Sequence, residues 1–150
     1  MKYALDTDLY IRAIREPVFG AELADFHARH APRTFLSSVV FHEIVVGALS
    51  PAKLVEIKTW IGRPFLKTGR AFTPSHRAWA QAAEALTALA SRYGLDRGKL
   101  PRSFVNDVLI ATSCRESGVT LVTDNTRDFE RIQSVVRFEF ALPWPSADEE

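Results

Sequence analysis

The stretch FVNDVLIATSCRESGVTLVTDNTRDFERI, residues 104–132, gives three structural instructions in succession. An apolar run fits a buried helix over 104–116, with Ser103 as its expected cap and Gly118 as the residue that closes it, since glycine enters the left-handed turn at no steric cost. TLV at 120–122 is a short apolar run between a glycine and a polar cluster, and it reads as a buried strand. A short helix from about Thr126 to residue 132 follows. Helix, glycine turn, strand and helix in this order belong to an α/β protein with parallel strands. Within that frame the acids are misplaced: Asp107 interrupts the apolar helix, and Asp124 and Asp128 crowd the end of the strand.

The rest of the chain repeats the alternation. Residues 3–5 form a first strand that ends in acids. Asp8 is the expected cap of a short helix reaching about Arg15, and Pro17 opens a second helix over 18–30. A second strand lies at 34–36. Ser37 and Ser38 are cap candidates for an apolar helix over 39–49, and Ser50-Pro51 starts another through about Trp60. Gly62, Pro64 and Gly69 mark a loop. After Thr73-Pro74-Ser75, the positions Trp79, Ala82, Ala83, Leu86, Leu89, Ala90 and Tyr93 make one helical stripe, which Gly94 stops. Gly98 and Pro101 make a loop, and a last strand is expected around 136–140. The reading is an α/β fold of three layers, α/β/α, around a mainly parallel central sheet, with one domain over 1–142 and a tail over 143–150 containing two prolines and three terminal acids.

Composition bounds the function. The chain has 150 residues, 47% hydrophobic and 25% charged, which suits one globular domain. Nineteen Lys and Arg against eighteen Asp and Glu leave a net charge of +1, so attraction to a nucleic acid has to come from a local patch. The single cysteine, Cys114, lies in an apolar run and is expected in the core of a protein kept in the reducing cytoplasm. No apolar stretch is long enough for a membrane span, and MKYALDTDLYI carries its acids too early for a signal peptide.

Four apolar segments each carry acid: YALDTDLYI at 3–11, VVFHEIVVGAL at 39–49, FVNDVLIAT at 104–112 and TLVTDNTRDF at 120–129. A buried carboxylate is costly unless a basic group or a metal ion compensates it. At one helical turn Glu43 meets only Val39, Val40, Val46 and Gly47, and Asp107 meets Ser103, Phe104, Ile110 and Ala111. Neither helix supplies a cation. Asp6 follows the first strand, and Asp124 and Asp128 follow the strand at 120–122. Ligands of an open parallel sheet bind at the carboxyl ends of its strands, so these acids converge on one edge. Oxygen donors without His or Cys suit Mg²⁺ or Mn²⁺ rather than zinc. The bland alternatives are turn or cap duty for Asp6, Asp8, Asp124 and Asp128, a distant Arg for Glu43 and a helix-dipole role for Asp107.

Three of these stretches resemble the PIN-domain ribonucleases, specifically the VapC-type toxins. LDTDLYI is similar to the family's first strand with its Asp-Thr-Asn/Asp. LSSVVFHEIVVGA is similar to the helix that bears the family's Glu. The stretch at 104–132 is similar to the C-terminal signature ending in Asp-Phe. Residues 51–101 carry little signature. The resemblance implies a single PIN-like domain over 1–142 and hydrolysis of RNA phosphodiesters with Mg²⁺ or Mn²⁺. It implies catalytic and metal-binding roles for Asp6, Glu43, Asp107 and Asp128. Asp124 and Asn125 remain alternatives at the fourth position, and Thr123, Asn125, Asn106 and Asp8 are supporting residues.

As partners it implies an RNA substrate approached through Arg12, Arg15, Lys99, Arg102 and Arg127, a cognate antitoxin protein, and a second copy in a homodimer. Apolar residues of the helices (Leu9, Tyr10, Ile14, Val45, Val46, Leu49, Leu54 and Ile57) are candidates for a groove or dimer face, with the core as their default place. Two rivals share some of these residues. A haloacid-dehalogenase-like phosphatase would use Asp6 and Asp8 as its nucleophile and acid pair, with Asp124 and Asp128 as its later metal acids, and a catalytically inactive PIN-like binding module would use none.

Overall fold

Tyr3, Ala4 and Leu5 are all buried, as are Leu121 and Val122. Strands with no solvent-facing side need cover on both faces, which a parallel α/β sheet supplies through its crossover helices. The computed structural model describes residues 1–146. Its strands are β1 (Tyr3–Leu5), β2 (Thr34–Ser37), β3 (Ala71–Phe72), β4 (Thr120–Val122) and β5 (Phe140–Ala141), in the order β3-β2-β1-β4-β5. All four pairings are parallel, with Tyr3 opposite both Thr34 and Thr120, and Leu5 opposite Val122. The chain steps outward from β1 through β2 to β3, then returns to the other side of β1 for β4. The seam between β1 and β4 is therefore the switch point at which such sheets open a crevice.

Helices α1 (Thr7–Arg15), α2 (Pro17–His30), α3 (Ser38–Val46), α4 (Pro51–Ile57) and α5 (Arg63–Lys67) come before β3, and α6 (His76–Tyr93), α7 (Arg102–Ser117) and α8 (Thr126–Gln133) after it. Right-handed crossovers that run in opposite directions from the switch point lie on opposite faces of the sheet. In keeping with this, α1 packs on α2 and α3, while α6, α7 and α8 pack on one another. This is the three-layer α/β/α arrangement expected from the sequence. The two sets meet where α3 touches α7.

Helix α7 is the centre of the core, with every residue from position 107 to 114 buried. Its buried hydroxyls are satisfied internally: Thr112 donates to the Leu109 carbonyl (3.1 Å) and Ser113 to that of Ile110 (2.9 Å). Gly118, at φ 63°, closes it in the left-handed conformation and turns the chain into β4. Cys114 is buried in this core, and burial pushes its thiol pKa up.

Several boundaries differ from the sequence reading, each for a local reason. Asp6, not Asp8, caps α1. Pro101 stands at the cap of α7 with no side-chain bond, and Ser103 lies inside the helix. The loop expected at 62–64 is helical: a π turn over Lys58–Gly62 runs into α5, whose first turn holds Pro64 where no N–H is required. Gly62 belongs there because a Cβ would come within 3.0 Å of the Phe41 ring. The last strand begins at Phe140 rather than 136. Trp144, in the expected tail, packs on Phe19 and Phe26 (centroids 5.3 and 5.2 Å) and donates its indole N–H to Glu22. The acidic end of that tail, residues 147–150, lies outside the described residues. Among the described residues no helix is long and apolar enough to cross a membrane.

Burial decides which substitutions matter. Ile110 is fully buried and Leu49 is 98% exposed. Ile110→Ala is expected to lower unfolding free energy by about 2–5 kcal/mol, and Leu49→Ala to change it by no more than about 0.5 kcal/mol. Urea denaturation of the two variants checks this, and equal effects would contradict the assigned core.

Candidate active site

The first acid of the crevice is fixed by the way β1 becomes α1. Asp6 N–H donates to the Val122 carbonyl (2.9 Å), which continues the β1–β4 pairing by one residue. Its carboxylate then turns inward. Oδ1 accepts the Thr7 N–H (2.8 Å), as an N-cap does, and Oδ2 accepts the Thr123 hydroxyl (2.7 Å). Asp6 is 4% exposed, and burial outweighs these two hydrogen bonds and raises its pKa from 3.8 to about 6.

Asp107 approaches from α7 and is also buried. Its pKa is raised to about 8, first by burial and then by the charges of Asp6, Glu43, Asp128 and Asp8. That list of charges is a map of the site: four carboxylates, from the end of β1 and from α1, α3 and α8, act on Asp107 of α7. Among the described residues no Lys or Arg is ion-paired to Asp6, Glu43, Asp107 or Asp128.

Neutral donors hold the acids in place. Thr123 Oγ1 accepts the Asn125 N–H (3.0 Å) while donating to Asp6. Asn125 caps α8 by accepting the Asp128 N–H, and its side-chain amide reaches Asp107 Oδ2 (3.4 Å) and Asp128 Oδ2 (3.2 Å). The strand-end sequence Thr123-Asp124-Asn125 thus links Asp6 on one side to Asp107 and Asp128 on the other. Glu43, half-buried on α3, receives a hydrogen bond from Thr7 Oγ1 at Oε1 (2.7 Å). Thr7 is the one site residue that the sequence reading does not single out; its position between two acids in Asp-Thr-Asp was the available signal.

Three expected members stand apart. Asp124 is exposed and points away, to Arg12 Nη1 (3.4 Å), which also binds Glu16 and lies over the Phe19 ring. Asn106 makes no hydrogen bond to the acids among the described residues. Asp8 is exposed on α1 and contributes charge only.

The donor set fits a hard divalent cation. It offers carboxylate oxygens in a partly dehydrated crevice, their repulsion is unrelieved by any paired base, and neither His nor Cys competes. Among the described residues no three such side chains already enclose a point as a finished cage.

An acid-lined crevice at the switch point of a parallel sheet, in an α/β/α sandwich of this topology, defines the class. The family model for the PIN domain matches residues 3–135, and the chain belongs to that family. PIN domains are nucleases and are generally dependent on a divalent metal. This favours the nuclease over the phosphatase alternative, and Asp6, with both oxygens engaged by donors, is not presented as a nucleophile.

The fold is similar to solved structures of toxin–antitoxin complexes. One is the DNA-bound VapBC from Salmonella typhimurium (TM-score 0.68, 20% identity, covering 95% of this chain and 98% of that one). Others are VapBC2 from Rickettsia felis bound to a promoter DNA fragment (0.62, 22%, 97% and 100%) and FitAcB from Neisseria gonorrhoeae (0.65, 19%, 96% and 99%). No curated protein matches the sequence significantly.

The raised pKa values have a consequence for stability. Between about pH 4 and pH 8 the folded, metal-free protein binds more protons at Asp6 and Asp107 than the unfolded chain does, so stability falls as pH rises through that window. Asp107→Asn removes the larger penalty. It is expected to stabilise the metal-free protein by roughly 2–4 kcal/mol at pH 8 and very little at pH 4. Urea unfolding in EDTA at the two pH values measures this; a variant no more stable than the parent at pH 8 would show that the carboxylate is not buried at a cost.

Proposed function

We propose that the chain is a Mg²⁺- or Mn²⁺-dependent endoribonuclease and the toxin of a toxin–antitoxin pair. The observation that carries this is the pair of buried carboxylates, Asp6 and Asp107, set at the switch point without a cationic partner. Asp6 and Asp107 would hold the ion, with Glu43 and Asp128 completing the set. When bound, the ion supplies the positive charge that orients a phosphodiester, acidifies water and stabilises the leaving oxygen.

The chain's own groups do the remaining work. Thr123 fixes Asp6 at Oδ2, and Asn125 holds Asp107 and Asp128 by one amide, so the acids keep their spacing despite mutual repulsion. Thr7 holds Glu43 by Oε1, which leaves Oε2 free of protein hydrogen bonds among the described residues and able to take a proton from the attacking water. Asp124 serves α1 through Arg12 and is not a member of the set, and Asp128 is the fourth acid.

The toxin reading draws on the fold shared with the VapBC and FitAB proteins. A partner surface is consistent with it: Ile14 and Leu49 are exposed around a cavity of about 370 Å³ between α1, α3 and α4, suited to an antitoxin segment or a second copy. Leu9 and Tyr10, also candidates for such a face, are core residues instead, and Ile57 is a buried residue that lines this same cavity.

The deciding experiment is cleavage of a mixed pool of single-stranded and structured RNA by antitoxin-free protein with Mn²⁺, beside Asp6→Asn and Asp107→Asn. Metal-dependent cutting is expected, with each substitution lowering it by about a hundredfold or more while the fold is retained. No cutting, together with no heat of Mn²⁺ binding by calorimetry, would refute the nuclease and leave an inactive binding module.

A further inference from the structure

Beside Asp128 the surface opens into a cavity of about 280 Å³ that the acid site does not use. Leu95, Leu100 and Phe104 form its apolar wall, and Lys99 and Arg131 stand on its polar side together with Asp96, whose carboxylate accepts the Gly98 N–H, and Asp128. Among the described residues neither cation has an ion-pair partner, although Arg12, Arg29 and Lys53 elsewhere do. Arg131 is half-buried, with its guanidinium over the Tyr93 ring at 5.2 Å, so the charge is held in place rather than trailing in water. Asp128 borders this cavity and also acts on Asp107. Acid site and cavity are therefore neighbours along one surface.

The volume discriminates among occupants. It falls just below the ~300 Å³ at which pockets for ordinary small ligands begin, enough for one flat ring with part of its sugar and too little for two stacked bases. An apolar wall with unpaired cations at its rim fits a base whose flanking phosphates are negative. A base paired in a duplex cannot enter such a recess without being extruded.

The geometry points to a nucleotide subsite: the cavity between the turn at Arg97–Lys99, the start of α7 and α8 seats one unpaired base of the substrate RNA next to the cut, with Lys99 and Arg131 on its phosphates. This rests on the ribonuclease reading and adds how a single strand is held and why it is preferred over duplex.

The test uses the full chain carrying Asp107→Asn, which blocks cutting, and a short fluorescein-labelled single-stranded RNA followed by anisotropy. Adding Lys99→Ala and Arg131→Ala together is expected to weaken binding about tenfold and to flatten the salt dependence by about 1.4 in slope, or ~0.7 per phosphate contact. Lys99→Arg with Arg131→Lys should recover most of the affinity. Should loss of the Arg131–Tyr93 contact disturb the fold of the double variant, Lys99→Ala alone, on an exposed turn, is expected to weaken binding in the same direction. Arg137→Ala, at the opposite end of β4, should change nothing. Removing one base at a time from the RNA should reveal one position whose loss costs about tenfold in the Asp107→Asn protein and little in the Lys99/Arg131 variant.

A flat scan, or equal binding by the double variant, overturns the subsite while leaving the nuclease intact. A wild type that neither cuts nor binds RNA removes the nuclease reading and the subsite with it.

Discussion

Asp6 emerges from the end of β1 with its carboxylate shut away from water and both oxygens engaged, one by Thr7 N–H and the other by Thr123. Those two bonds tie α1 to β1 and β1 to the end of β4. The arrangement is possible because the strand order reverses there: β1 and β4 stay paired, while the connections leaving them run in opposite directions and open a crevice at the strand ends. Once Asp6 is fixed, Thr123 is fixed, and Asn125 follows through its N–H on the Thr123 hydroxyl. Asn125 sets both the start of α8 and the approach of Asp107 and Asp128. A single seam between two three-residue strands therefore determines where four elements place their polar groups.

That seam is held at a cost. Burial and like charge push Asp107 to about 8 and Asp6 to about 6. An apolar substitute at either position would relieve a penalty that the neutral donors Thr7, Thr123 and Asn125 offset only in part. The surrounding core absorbs it: α7 is buried along most of its length, and β1 and β4 are sealed on both faces. Packing on this scale can tolerate a few kcal/mol of local electrostatic strain while net stability stays positive. The acid cluster and the density of the core around α7 are thus two parts of one arrangement.

Much of this was legible in the sequence, because it depends on short-range signals. Apolar helix, Gly118 and strand placed α7 and β4 almost to the residue, and acids inside apolar segments pointed to Asp6, Glu43 and Asp107. What was not legible depends on contacts between distant parts of the chain. Local signals do not separate Asp124 from Asp128, and only the family resemblance put Asp128 first; Arg12, 112 residues from Asp124, draws that acid outward. Thr7 gains its role only when α3 brings Glu43 to it across 36 residues. The helical turn at Gly62 and Pro64 reverses the usual reading of both residues, because Phe41 occupies the space a Cβ would need. β3 is two residues long and exists by its register with Leu36 and Ser37, which no periodicity can signal.

The distribution of ion pairs argues against a purely structural origin for the crevice. Exposed acids are the ones with partners: Asp25 with Arg29, Glu56 with Lys53, and Glu16 and Asp124 with Arg12. Such exposed pairs contribute little to stability. Pairing would matter far more in the buried crevice, yet among the described residues Asp6 and Asp107 receive only neutral donors there. Stability alone would favour the reverse allocation, with cations directed to the buried acids or the acids replaced. Neutral donors orient a carboxylate without cancelling its charge, so the crevice keeps a negative potential at a defined place and leaves it for something that arrives from solution.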